Sequence, residues 1–162
     1  MKRTIFIGQA MPRVKRDPHD WPSLNAWLNS IGITDRDITS NFYYSALVDY
    51  FPGSNEGGSH RVPTADEIAE ERDRLKHDIE TFEPELFVTI GKLSITHCLQ
   101  QKNVVLRDVV GRSFEVRPYG LTDIDHLVVP LPHPSGASTW YHKGENKELL
   151  QKALMLLKRN LV

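Results

Sequence analysis

The sequence predicts an α/β fold, a three-layer α/β/α sandwich around a four-stranded parallel sheet. Four short apolar runs are separated by helical patterns, the βαβ rhythm of a parallel sheet covered on both faces. The chain has 162 residues, 40% hydrophobic and 25% charged, the size and balance of a single domain over residues 1–162. No stretch approaches the ~18 consecutive apolar residues of a membrane span, so no membrane partner is expected.

The first run, "TIFIG" from Thr4 to Gly8, follows two basic residues and has no small-residue cleavage site after it. It reads as a first strand and not as a signal segment, and the expected location is cytoplasmic. In "DWPSLNAWLNSIG", Leu24, Trp27, Leu28 and Ile31 recur at helical spacing, and Gly32 supplies the stop. The second strand is read over "ITSNFYYSAL", Ile38 to Leu47. Behind it, "DYFPGSNEGGSHRVP" from Asp49 to Pro63 is a long loop, the kind that tends to be functional or mobile. Thr64 and Glu67 have the spacing of a capping box. They open a helix with Ile68, Leu75, Ile79 and Phe82 on one stripe, which ends before Pro84. The third strand is "LFVTIG", Leu86 to Gly91, followed by a short helix in "KLSITHCLQQ". "GRSFEVRPYG" reads as a strand or hairpin ending in a turn, and "HLVVPL" from His126 to Leu131 as the fourth strand. Pro130 inside that run and Pro132 beyond it place it at a sheet edge, because proline cannot donate to a central ladder. The last helix, from about Glu145 to Leu161, buries Leu149, Leu150, Ala153, Leu154, Leu157 and Leu161.

The one cysteine, Cys98, excludes an internal disulfide, a four-cysteine zinc site and an all-cysteine iron-sulfur cluster, and reads as a buried small hydrophobe. His19, His60, His77, His97 and His126 make no metal set, and no cofactor is expected. A net charge of -1 gives no global attraction to nucleic acid, so phosphate binding falls to a local patch. Arg13, Lys15 and Arg16 form one such patch and His142, Lys143 and Lys147 another; each also reads as solvated surface charge.

In an open parallel sheet, ligands bind beyond the carboxyl ends of the strands. The residues there are Gly8 to Arg13, the loop from Asp49, Gly91 with Lys92, and Pro132 to Ser135. Gly8 and Gly91 stand where strands turn, and their missing Cβ lets backbone or ligand approach.

At these four places stand "GQAMP", "YYSALVDYFPGSN", "ELFVTIGKLS" and "LPHPSG". In order and spacing they resemble the uracil-DNA glycosylase superfamily over nearly the whole chain. The likeness is closest to the branches whose first motif is Gly-Glu-Ala-Pro-Gly or Gly-Leu-Ala-Pro-Ala and whose last is His-Pro-Ser. Each motif alone is common, and the specificity lies in finding four at four strand ends. The resemblance implies strand order 2-1-3-4, with a DNA groove across the strand ends, and makes the fourth strand an edge.

It also implies hydrolysis of an N-glycosidic bond, with uracil or another deaminated or damaged base leaving from single- or double-stranded DNA. Negative charge grows on the departing base and positive charge on the sugar, so the site needs a donor at a base oxygen and a carboxylate or held water near the sugar. By the resemblance His133 is the donor, while Pro134, Ser135 and Gly136 lead to the DNA backbone. Trp140 or Tyr141 is the wedge that fills the vacated stack, with Lys143 adding phosphate attraction; packing against the last helix is the competing role for both aromatics.

Several positions depart from the family's pattern. Ala10 stands where the most active branch has a water-activating aspartate, and Gln9 where the iron-sulfur branch has a glutamate. Gln9 can orient a water or bond the base, and Asp17 or Asp20 is left to supply the carboxylate. Ala46 takes the place of a base-reading asparagine, which weakens strict uracil selection, with Asn41 as a substitute. Phe42, Tyr43 or Tyr44 offers a ring to a flipped base or belongs to the core. Tyr50 replaces a cluster cysteine, so no iron-sulfur cluster is expected.

Three functions compete: a DNA glycosylase acting as a monomer, a lesion-binding module of the same fold that lacks turnover, and a hydrolase of free nucleosides or nucleotides. The first two predict binding that weakens steeply with salt, and the third does not.

Overall fold

The computed structural model of the chain describes residues 1–13, 17–58, 60–134 and 139–162. Its strands are β1 (Thr4–Ala10), β2 (Phe42–Val48), β3 (Leu86–Ile90), β4 (Phe114–Val116) and β5 (His126–Leu131). They form one sheet in the order β2-β1-β3-β5-β4. Four are parallel and follow the expected order, with β5 as the expected fourth.

The sheet nevertheless has five strands and is mixed. Phe114, Glu115 and Val116 run antiparallel to β5, opposite Val128, Leu127 and His126. This alternating apolar-polar-apolar triplet turns Phe114 and Val116 onto the core, which is why the segment joins the sheet. The last parallel strand is therefore covered over its first half and is not the edge. Pro130 lies past the end of β4, with Thr89 of β3 opposite it on the other side. The proline is tolerated where the outer ladder has stopped.

A second correction concerns Ile38 to Asn41, which are helical. Helix α1 (Pro22–Ser30) is followed by α2 (Asp35–Asn41) before β2 begins. Thr34 Oγ1 accepts from Asp37 N at 3.1 Å, and Asp37 Oδ2 accepts from Thr34 N at 3.0 Å. These bonds, the one to the Thr34 backbone first, hold the Asp37 carboxyl below its usual range. The reciprocal cap and the burial of Ile38 outweigh the β-branched run that suggested a strand.

The second crossover divides into α3 (Ala65–Glu70) and α4 (Arg72–Phe82) with a turn at Glu71. The predicted cap is present, with Thr64 N on Glu67 Oε1 at 3.0 Å and Glu67 N on Thr64 Oγ1 at 3.2 Å. Glu83 in the left-handed region ends α4 just before Pro84. Helices α5 (Lys92–Leu99), α6 (Leu106–Val109) and α7 (Glu145–Asn160) complete the chain. Among the described residues no helix is long and apolar enough to cross a membrane.

Side chains alternate across the sheet into two cores. Phe6, Tyr44, Val88 and Val129 meet Leu24, Leu28 and the Leu150, Leu154, Leu157 stripe of α7 on one face. Ile5, Ile7, Phe87 and Val128 meet Leu75, Ile79 and Cys98 on the other. Burial pushes the Cys98 thiol up to about 12, so it remains a thiol. Beneath the strand ends, the hydroxyls of Thr89, Ser94 and Tyr119 bond one another at 2.7–3.0 Å, and Ser94 Oγ donates to the Ile7 carbonyl at 2.7 Å. That buried triangle ties α5 to β1 and β3.

Candidate functional site

A cavity of about 680 Å³ opens at the carboxyl ends of β1 and β2, with His133 on its β5 side. Its size falls within the range of pockets that enclose small ligands. Gln9 and Ala10 line it from β1, Asp17 and Asp20 from the connection to α1, and Phe51, His60 and Arg61 from the long loop.

The inner wall is Trp21, which the sequence did not single out. A Cβ on Gly8 would lie 3.0 Å from Trp21 Cη2, so the space left by that glycine is taken by the protein's own indole. The same indole lies 6.1 Å from the Tyr44 ring and 5.7 Å from the His133 ring, centroid to centroid. It joins β1, β2 and the segment that follows β5 into one surface. Tyr44 is fixed in turn by its hydroxyl, which donates to Asn25 Oδ1 at 2.6 Å. Burial, and to a lesser degree the Asp35 charge, hold that hydroxyl well above its usual range.

Gly91 serves a different purpose. With φ at +86° it starts α5 in a conformation that disfavours side chains, and its N–H donates to Leu131 O at 2.9 Å. This sets the strand end from which Pro132 and His133 leave. Burial, and secondarily the nearby His60, hold the His133 imidazole below the ordinary histidine value. Near pH 7 the ring is thus neutral, with one N–H to give.

His133 is expected to titrate below the ~6.5 of a free imidazole, as read from its Cε1 proton shift by NMR; a midpoint at or above that value would sink the assignment. Burial lowers His97 and His126 in the same direction. For all three the unfolded chain takes up protons before the folded one does. Their contribution to stability is complete above ~6.5 and declines as pH falls from there through the folded values.

The other sequence-predicted residues divide. Gln9 and Ala10 are half-buried on the cavity wall, and Asp17 and Asp20 are exposed at its rim. The Asp17 carboxylate accepts from the His19 backbone N–H at 2.7 Å. Arg13 is exposed, its guanidinium 5.5 Å over the Phe51 ring, and it donates to Ser54 Oγ at 3.4 Å. Pro134 is buried. Lys15, Arg16, Ser135 and Gly136 lie outside the described residues.

Asn41, Phe42 and Ala46 are among the predicted positions that do not line the cavity. Asn41 closes α2 at the opposite end of β2 and donates to Asp37 O at 3.0 Å, because the segment is helical and strand alternation does not apply to it. Phe42 is 2% exposed with its ring 5.0 Å from Phe6, a core residue where β2 begins. Ala46 is 1% exposed opposite Gly8, and its carbonyl accepts from Arg74 Nη2 at 2.7 Å. Tyr43 and Tyr44, left open between ring and core, both border the cavity.

Trp140 and Tyr141 form a half-buried 3₁₀ turn against the first core, the Tyr141 ring edge-on to Trp27 at 5.3 Å. The Trp140 carbonyl accepts from Asn146 Nδ2 at 2.9 Å. Both pack against that core while remaining partly exposed, and exposed Lys143 follows them.

Phe51, His60 and Arg61 were within the flagged loop but carried no pattern of their own. The loop closes on itself through a Ser54–His60 bridge, and the His60 ring meets Phe51 edge-on at 5.1 Å. Among the described residues no group of three or more histidine, cysteine or acidic side chains is arranged to hold a metal ion.

No curated protein sequence matches the chain. The family model of the uracil DNA glycosylase superfamily matches residues 2–158, nearly its full length. By a match of that span, the chain belongs to the uracil DNA glycosylase superfamily.

Proposed function

We propose that the protein is a DNA glycosylase that removes uracil or another deaminated or damaged base. The observation that carries this is the His133 imidazole on the wall of a strand-end cavity with room for a base, where burial disfavours its charged form. The target nucleotide leaves its stack, at a cost of a few kcal/mol, and enters between Trp21 and the long loop. As the bond from C1′ to the base nitrogen breaks, its electron pair passes to the base. The His133 N–H then donates to the base oxygen where that charge gathers. Water adds to C1′, and the proton it loses passes through solvent to the departed base anion. Gln9 orients this water or bonds the base through its amide, and Asp20 or Asp17 at the rim supplies negative charge toward the sugar. Beyond Pro134, Ser135 and Gly136 serve the DNA backbone, with Lys143 and Arg13 adding attraction to phosphate.

Base release from labelled single strands and duplexes carrying uracil, hypoxanthine or xanthine tests the proposal. Release of at least one base is expected, and release of none overturns it. Ala10, which brings no carboxylate to the cavity wall, favours a second reading as a lesion-binding module. Tight binding of a strand with an abasic site, without base release from any substrate, would select that reading.

A further inference from the structure

We propose that Glu67 is a positioning residue for this site, holding the outer wall of the cavity in place against a DNA strand through Tyr50 and Arg61. The inference rests on the glycosylase reading. The loop from Asp49 to Pro63 leaves β2 and returns to α3, and both of its ends are attached to this one carboxylate. Tyr50 OH donates to Oε2 at 2.7 Å. From the far end of the loop, Arg61 Nη1 donates to Oε1 at 2.7 Å and Nη2 to Oε2 at 3.0 Å, a two-pronged ion pair. The Thr64 backbone N–H adds a fourth bond at 3.0 Å.

Arg61 extends the hold into the loop itself. Its Nε donates to the Pro52 carbonyl at 2.7 Å and its backbone N–H to the Gly53 carbonyl at 2.8 Å. Between the two attachment points stand Phe51, Pro52 and His60, which line the cavity, whereas Glu67 does not. Glu67 therefore acts through other residues. Its four donors, the Arg61 guanidinium first, hold its carboxyl below the usual range.

A loop of glycine, serine and proline buries little and must otherwise be ordered by the ligand when it binds. Charge-assisted, bidentate bonds meet that ordering cost in advance. Their loss should weaken binding of ground state and transition state alike, so KM rises and kcat stays.

The test compares Glu67→Gln, Tyr50→Phe and Thr64→Ala with the wild type on the strand that the wild type cleaves best. Glu67→Gln should raise KM about 10-fold, the size expected for one charged hydrogen-bonded pair, with kcat within about 3-fold. Tyr50→Phe, which leaves the helix cap and the ion pair intact, should move KM the same way by less. Thr64→Ala removes the other half of the cap but keeps the clasp, and should leave KM alone. Amide exchange at residues 50–51, 53–58 and 60–61 should quicken in the first two variants and not in the third. Unchanged KM and exchange in both clasp variants, or a fall in kcat equal to the fall in kcat/KM, would overturn the inference. If Glu67→Gln does not fold, Tyr50→Phe decides by the same criteria. A wild type that releases no base defeats the glycosylase reading on which the inference rests; release by the wild type with KM unmoved in both clasp variants defeats the clasp alone.

Discussion

His133→Ala is expected to lower base release from a uracil-containing strand at least ~10²-fold, the usual loss for one fixed donor to developing negative charge. The bond it removes strengthens as the base departs, so kcat and kcat/KM should fall together and KM should hardly move. The imidazole faces Trp21 on one side and would touch a Cβ on Gly91 at 3.7 Å on another, at the mouth of the cavity and outside both cores. Stability should therefore change by no more than about 1 kcal/mol. Single-turnover release, revealed by alkaline cleavage at abasic sites, measures the first effect, and a urea melt the second. A variant within about 3-fold of the wild type would remove His133 from the chemistry.

Phe6→Ala should cost ~3–5 kcal/mol, the largest loss of stability expected from a single side chain here. Phe6 is fully buried in β1, between β2 and β3. Its ring lies 5.0 Å from Phe42 and 5.3 Å, edge-on, from Tyr44. Truncation loses the transfer of the ring and leaves a cavity that strands held on both sides cannot collapse to fill. It also removes the support beneath Tyr44, against which Trp21 rests, so the ligand cavity should loosen with the core. The urea midpoint should drop with an unchanged slope. A loss below about 1.5 kcal/mol would mean that the face can repack.

Much of this architecture was legible in the sequence because it is periodic. The four parallel runs, the stripe of α7 and the Thr64 cap each obey a spacing that local chemistry imposes. The second run misled because Ile38 and Thr39 carry β-branched chains, while the deciding signal lay upstream. Thr34 and Asp37 stand three apart, a cap made with aspartate in place of the commoner glutamate. The strand Phe114–Val116 was too short for its pairing to be read from three residues.

That His133 and Gln9 line the cavity was legible because strand ends converge by topology, whereas Asp17 and Asp20 were picked out by the resemblance alone. Trp21, Phe51 and His60 were not legible. Trp21 reaches the cavity through the bare Cα of Gly8, a contact that links positions 13 residues apart without any repeat. Phe51 and His60 are carried in by a loop whose course depends on Glu67, a residue that the pattern assigns only to a helix cap.

The Arg74 side chain, seen above only as the partner of the Ala46 carbonyl, bears on how the molecule behaves in company. Its guanidinium also reaches the Leu47 carbonyl at 3.2 Å, while the Pro18 carbonyl takes the Tyr44 N–H at 3.0 Å. Ladder groups along the outer flank of β2 are thus engaged from within the chain. At the far flank, β4 offers three residues and Pro130 withholds a donor beyond them. Open strand margins are where sheets recruit other sheets and polymerise. With β2 engaged along its outer flank and β4 only three residues long, neither margin offers a long open ladder for a strand from another molecule.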